Sequence, residues 1–381
     1  MSKLISALPK NLLCFSHLRW DFVFQRPQHL MTRFAREQQV YFLEEPIFDA
    51  QGHDYLERAQ RDGNVTLLVP HLAAGKSREE VQLALSNLLS EVLAGQSMCD
   101  WMFWYYTPMA LQFSLMFQPA LVIFDCMDEL SAFDFAPKEL VMLEKKLMDI
   151  ADVVFTGGHS LYEAKKNQHN NIYAFPSSID KMHFASSRKE IEEPEDQAKI
   201  SGIKLGFFGV IDERFEIELI EHIAVARPDW QLILLGPVVK ISPDTLPRRA
   251  NIHYLGQKSY QQLPAYLSGW DVALIPFKLN ESTRFISPTK TPEYLAAGVR
   301  VVSTPIRDVV KPYGTQRLVS IAEHPEDFVQ AVEYELNAAD DAVWLSKVDR
   351  FLNDKSWEHT FSAMKFQMLS AMKRPDTLLA S

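Results

Sequence analysis

Cysteine is scarce in this sequence. Cys14, Cys99 and Cys126 are the three among 381 residues, too few and too widely spaced for a disulfide framework or a zinc cluster. They read as buried small apolar side chains in a reducing, cytoplasmic setting. Positive charge is also in deficit. Thirty-nine Lys and Arg against 49 Asp and Glu leave a net charge of −10, which repels phosphate polymers and argues against nucleic acid as a partner. With 14 Gly and 21 Pro the chain is neither fibrous nor of low complexity. The apolar part of Met1–Lys10 is too short for a signal peptide, so the mature chain is expected to start there. Long apolar spans are missing too. Met102 to Phe124 carries no charge, but Pro108, Pro119, Thr107, Gln112, Ser114 and Gln118 divide it into strand, turn, short helix and strand. That predicts a buried core segment and no transmembrane helix. Common chemical signatures are absent: no G-x-G-x-x-G after the first strand, no Walker lysine, no H-E-x-x-H and no G-x-S-x-G around Ser160. Neither a cofactor nor a metal is expected.

What is present suits a folded α/β chain of two domains. Hydrophobic residues make up 47% of a length greater than one core usually serves. Short β-branched or aromatic runs alternate with 3.6-periodic segments, the pattern of parallel sheets covered by helices. Strands are predicted at Leu12–Ser16, Gln39–Leu43, Val65–Val69, Trp101–Tyr105, Leu121–Asp125, Val153–Thr156 and Ile172–Phe175. The charged segment Ser186–Lys199 reads as a linker. The rhythm then restarts with strands at Lys204–Phe208, Gln231–Leu235, Ile252–Leu255, Val272–Pro276 and Val301–Thr304, followed by a helical tail from Asp340 to Lys373. Domains are thus expected over 1–195 and 200–350, with 351–381 as a C-terminal helical segment. In such sheets ligands bind beyond the carboxyl ends of the strands.

The richest segment follows the strand at Val272–Pro276. Pro292 and Gly298 bracket a short helix, with Thr291 as its cap or Thr289 one register earlier. Free N–H groups at this helix start, Lys290, and the hydroxyls of Ser287 and Thr289 are what a phosphate needs, and Arg284 could add a second cation. Glu293 in the first turn has two readings: complement to the helix dipole, or acceptor for the paired hydroxyls of a ribose.

The run from Ser287 to Gly298, SPTKTPEYLAAG, followed by VRVVSTP, resembles the nucleotide-sugar motif of GT-B glycosyltransferases of group 1, or family 4-like, the bacterial surface-polysaccharide type. HLRWDFVFQRPQHL, DCMDELSAF, VFTGGHSLYEAKK, GFFGVIDERFEIELI and YLGQKSYQQLPAYLSGWDVALIPF extend the likeness over nearly the whole chain. The resemblance implies two Rossmann-like, doubly wound domains facing a cleft, with the final helix crossing back to the first. It implies a retaining, metal-independent hexosyltransferase moving a sugar from a nucleotide-sugar donor, UDP-linked, to a glycan or lipid-linked acceptor hydroxyl in polysaccharide biosynthesis. Glu293 would hold the ribose and Lys290 with Arg284 the diphosphate; Gly209 to Arg214 would lie beside the phosphates and Gln257 beside the base. The chain lacks the Asp-x-Asp metal clamp of the other large glycosyltransferase fold. One departure stands out: relatives often carry Glu-x7-Glu ending at the ribose glutamate, and here the first position is Phe285.

On the acceptor side, His17, Arg19, Trp20, Asp21, Arg26 and Gln28 crowd the loop after the first strand. Trp20, Arg26 and Tyr106 are the candidate acceptor contacts, the plainer alternative being an Arg26–Asp21 pair. Asp125 ends another strand, and Asp128 and Glu129 follow it within one turn. Asp128 and His17 are the candidate catalytic groups, with an N-cap role as the alternative for Asp128. A nucleotide-sugar 2-epimerase and a non-catalytic nucleotide-sugar-binding scaffold are the competing functions. A cytoplasmic protein meeting a membrane-borne acceptor peripherally fits either transferase acceptor.

Overall fold

The computed structural model describes residues 7–133, 136–339 and 341–372. Asp340 and the residues from Lys373 onward, part of the expected helical tail, lie outside that range, as do residues 1–6. The chain forms two compact units, one holding the residues up to Pro176 and those from Glu358 onward, the other Ser177–Trp357.

The first unit is built on eight strands: β1 (Asn11–Phe15), β2 (Gln39–Leu43), β3 (Tyr55–Arg61), β4 (Val65–His71), β5 (Trp101–Tyr105), β6 (Leu121–Cys126), β7 (Val153–Thr156) and β8 (Ile172–Ala174). Their order is β3-β4-β2-β1-β5-β6-β7-β8, and only β3 runs antiparallel, against β4. Every side chain of β5 is buried, as a central strand covered on both faces requires. Trp101, Phe103 and Trp104 are core residues, and Trp104 meets Phe34 and Phe155 at 5.4 and 5.7 Å between rings. β3 escapes the sequence pattern because it is an exposed edge strand, YLERAQR, with no apolar alternation to betray it. The uncharged Met102–Phe124 stretch folds as β5, a short helical turn and β6, and no described helix is long and apolar enough to cross a membrane.

The second unit has six parallel strands: β9 (Ile203–Phe208), β10 (Trp230–Leu235), β11 (Ile252–Gly256), β12 (Val272–Ile275), β13 (Arg300–Ser303) and β14 (Ser320–Ile321), ordered β11-β10-β9-β12-β13-β14. Each sheet therefore winds outward in both directions from one strand pair, β1 beside β5 in the first and β9 beside β12 in the second. Those pairs are the topological switch points where crevices open.

Two sequence expectations need correction. Ser186–Lys199 is no free linker but part of the second unit. Gln197 is fully buried, donating to Tyr266 O at 2.9 Å and accepting from Trp270 Nε1 at 2.9 Å, and Ser187 donates to Ala297 O. Polar residues are tolerated inside because each finds a partner, which composition does not reveal. The chain passes between units at 176/177 instead. Cys99 is exposed, unlike Cys14 and Cys126. The last helix, Trp357–Met372, packs into the first unit through Phe361 against Phe34 at 4.9 Å and Lys365 against Glu37 at 2.5 Å.

Candidate active site

In the second unit the switch point carries the site. β9 is followed by Gly209, whose N–H donates to Leu235 O at 2.8 Å and whose φ is +138°. Gly236, φ +143°, follows β10, and a side chain on it would meet Gly209 O at 1.8 Å. The two glycines let adjacent strand ends close up. A side chain on Gly209 would fall 2.3 Å from Lys290 Cε and 2.7 Å from Nζ, so the lysine lies directly over this backbone.

Lys290 opens the helix Lys290–Ala297, which follows β12 and closes on Gly298 in the left-handed region. The cap is Thr289, the earlier of the two registers, and its hydroxyl makes no capping bond. Pro292 is therefore the third residue of the helix and not the first. Thr291 is buried inside the first turn, and its hydroxyl has no hydrogen-bond partner. Tyr294 pins the helix to the sheet by accepting from Phe208 N at 3.0 Å.

The Lys290 ammonium sits between the rings of Phe207 and Phe277, 5.4 and 5.2 Å from their centroids. Desolvation there, reinforced by Arg214 and opposed by Glu293 and Asp212, pulls it down to about 8. Glu293, one turn along and 6% exposed, is pushed up to about 8 by burial against the opposing pull of Lys290. Neither group is needed to fold a helix this short. A desolvated cation and carboxyl at the carboxyl end of a central strand are marks of a binding site.

The second cation near Lys290 is Arg214, held by buried Asp212 at 2.6 Å. Arg284 stands exposed, paired with Glu281 at 3.3 Å and lying over Phe285. Ser287 is half-buried, and Gln257 is exposed just beyond β11. The resemblance already put Arg214 beside the phosphates; its pairing with Asp212 and its influence on Lys290 are what the sequence does not display.

In the first unit, Arg26 pairs with Asp125 through two bonds of 2.9 and 2.8 Å and donates to Phe175 O at 2.7 Å. Arg26 is 2% exposed and Asp125 fully buried. Asp21 pairs with Arg61 instead, so the Arg26–Asp21 alternative does not form. Tyr106 is buried beside Asp125, and burial, reinforced by the neighbouring carboxyl, drives its hydroxyl well up. Trp20 packs edge-on against Phe42 at 4.9 Å, while its N–H donates to Glu44 at 2.7 Å. The three residues read as acceptor contacts are thus turned inward, and they hold the strand ends together. The density of polar groups after β1 serves internal pairing.

Of the three carboxylates at the end of β6 and just beyond it, Asp125 is taken by Arg26, and Glu129 by Lys165 at 2.8 Å, which also binds Glu144. Asp128 is half-buried and caps no helix, and its carboxylate accepts no hydrogen bond among the described residues. His17 is half-buried in the loop leaving β1. A chamber beside that loop, lined partly by Glu44 and Thr107, has no counterpart in the sequence motifs. Among the described residues no group of three or more His, Cys, Asp or Glu side chains is gathered to hold a metal ion.

Residues 202–337 match the family of group 1 glycosyl transferases. The chain is 24% identical over 300 residues to a Bacillus subtilis (strain 168) protein named for teichuronic acid biosynthesis as the glycosyltransferase TuaH, covering 73% of this chain and 74% of that one. Its fold is that of sucrose-phosphate synthase from Thermosynechococcus elongatus, with TM-score 0.71 at 13% identity over 93% and 97% of the two chains. The E. coli trehalose-6-phosphate protein bound with UDP-2-fluoro glucose gives 0.69 at 11% identity over 96% and 99%. The UDP-forming α,α-trehalose-phosphate synthase of Burkholderia vietnamiensis gives 0.68 at 12% over 95% and 100%.

Proposed function

We propose that this chain, a group 1 glycosyltransferase of the GT-B fold, moves a sugar from a UDP-linked donor to a hydroxyl of a glycan or lipid-linked acceptor in polysaccharide assembly. One observation carries the reading: Lys290 and Glu293, both desolvated, stand one helical turn apart at the β9/β12 switch point, with Lys290 over the bare backbone of Gly209. The spacing suits a nucleoside diphosphate, with the ammonium on the diphosphate and the carboxyl on the ribose hydroxyls. The UDP-sugar held by the E. coli structural neighbour and the polysaccharide role in the name of the Bacillus relative support the donor and pathway class.

Transfer breaks the bond between the anomeric carbon and the diphosphate oxygen and forms one from that carbon to the acceptor oxygen. With retention, the acceptor proton passes to the departing diphosphate on the same face of the sugar. Lys290, with Arg214 behind it, supplies the positive charge that stabilises the leaving group, so the reaction is metal-independent. Phe285 replaces a glutamate that relatives use, so hydrogen bonds to the sugar come from other groups. Asp128 and His17 orient the acceptor hydroxyl.

Calorimetric titration with UDP, GDP and their sugars tests the donor site directly. UDP binding that Lys290→Ala and Glu293→Ala each abolish, in variants that stay folded, is the expected result. Near-normal binding and transfer in both variants would sink the assignment.

A further inference from the structure

In the first unit the strand order β3-β4-β2 obliges the chain leaving β2 to cross the carboxyl end of β4 before it returns as the antiparallel edge strand β3. The crossover hugs β4 on the way. Ile47 N donates to Pro70 O at 2.8 Å, Leu72 N to Ile47 O at 2.8 Å, and Ala50 N to Leu72 O at 3.1 Å. His71, the last residue of β4, therefore has the crossover on one side and β3 on the other. Tyr55 is its cross-strand partner, and the two rings stack at 4.7 Å with their planes 2° apart. Glu57, two residues along β3, projects on the same face.

His71 Nδ1 lies 2.6 Å from Asp49 Oδ1 on the crossover, and Nε2 lies 3.0 Å from Glu57 Oε2 on β3. A neutral imidazole donates from one nitrogen only, so both contacts are hydrogen bonds only in the imidazolium. The ring is buried, whereas each carboxylate side chain is 56% exposed. The bond to Asp49, opposed by burial and aided by Glu57, holds the imidazole above its ordinary value. The other charges close by are matched elsewhere. Asp54 accepts from Ala73 N at 2.9 Å and Lys76 at 3.0 Å, Arg61 at the far end of β3 pairs with Asp21, and His53 neighbours the Tyr55 ring at 6.4 Å. Losing its proton would cost His71 one of the two bonds and set a ring lone pair against a carboxylate.

We propose that His71 is a proton-operated latch: protonated, it ties the crossover and β3 to the end of β4, and deprotonated, it lets both open while the other strands stay paired. β3 suits local opening because it pairs with β4 alone and is largely exposed. The crossover also supplies Pro46 and Phe48 to the lining of the apolar chamber beside β1, so the latch sets how firmly that wall is held. Its action lies within the first unit and does not depend on the transferase reading. In the opened segment the imidazole returns to about 6.5. The latch is therefore fully engaged below that pH, and its hold is lost as pH rises through the higher value of the closed form.

The test is hydrogen exchange of the intact protein between about pH 6 and 9, read as protection factors corrected for intrinsic exchange, with the His71 ring titrated by NMR. Protection of residues 47–61 is expected to fall by up to about tenfold per unit between pH 6.5 and the folded His71 value and then to level off, while Trp101–Tyr105 holds steady. The total loss should be about tenfold for each unit by which the NMR value exceeds 6.5. His71→Gln should leave the segment at low protection independent of pH. Asp49→Asn and Glu57→Gln, at exposed positions that cannot prevent folding, should each lower the His71 titration by about one unit and shrink the loss in proportion. Level protection across the range, an equal loss in Trp101–Tyr105, a His71 titration at or below 6.5, or an unchanged profile in His71→Gln or in both carboxylate variants would each overturn the latch.

Discussion

Gly209→Ala separates folding from donor recognition, because its two costs fall on different groups. The first is conformational. At φ +138° a side chain is strained whatever space surrounds it, at about 1–3 kcal/mol. For a unit of this size that lowers the melting temperature by about 2–10 °C. The second is steric and falls on the end of Lys290, with Cε 2.3 Å and Nζ 2.7 Å from the new methyl. A lysine end yields cheaply by rotating away, so the fold survives, but the ammonium leaves its place between Phe207 and Phe277. Losing one charge-assisted hydrogen bond of about 1.5–3 kcal/mol weakens UDP about 10- to 150-fold. Uridine, with no diphosphate, should bind the variant as it binds the parent. Scanning calorimetry and titration with both ligands read the two costs independently. If UDP binds within twofold of the parent in a variant that has lost stability, or if uridine loses as much as UDP, Lys290 does not hold the diphosphate. Gly236→Ala is the contrast: its methyl meets Gly209 O at 1.8 Å, and backbone cannot swing aside, so its loss of stability should exceed that of Gly209→Ala.

Three further outcomes are expected. Lys290 must be protonated to attract the diphosphate and titrates near pH 8, so UDP affinity should be full below that pH and fall by up to about tenfold per unit above it. Lys290→Arg, charged throughout, should flatten the fall, and a parent profile level from pH 7 to 10 would count against the assignment. Glu293→Ala should weaken UDP about 10- to 100-fold but 2′,3′-dideoxy-UDP far less, since the lost partners are the ribose hydroxyls; equal losses would remove the carboxyl from the ribose. Arg26→Met leaves Asp125 buried and unpaired and should cost about 3–5 kcal/mol in urea denaturation, much of it regained by adding Asp125→Leu; an additive double variant would show that the pair is not coupled.

How legible each feature was in the sequence follows from how it is built. Trp101–Tyr105 and Val153–Thr156 emerge with the expected boundaries because both are fully buried parallel strands dominated by apolar and aromatic residues. β3 and the two-residue β14 carry no such run and were invisible. The proposed donor segment stands out in the sequence because its parts, Ser287 to Gly298, lie in one continuous run whose helix signals fix their relative positions. The helix start moved because Pro292 is tolerated anywhere in the first turn, not only at its first position.

The first unit resisted reading for a different reason. Its polar residues are matched over long separations, Arg26 with Asp125 and Arg19 with Glu44, 99 and 25 residues apart. Sequence displays the polar groups but not their pairing, so a loop dense in Arg, Asp, Trp and Gln looks like an open binding surface. Once the pairs are drawn, the balance inverts. Trp20, Arg26 and Tyr106 serve the scaffold, Asp128 is left with an unpartnered carboxylate, and Lys76 and Arg78, which line the apolar chamber, are paired with Asp54 and Glu139 outside its lining. The same logic reframes the net charge of −10. What governs the ligand is which charges remain unmatched inside. In the second unit that is a desolvated ammonium suited to one diphosphate, whereas in the first the buried cations Arg26 and Lys165 are both matched to carboxylates.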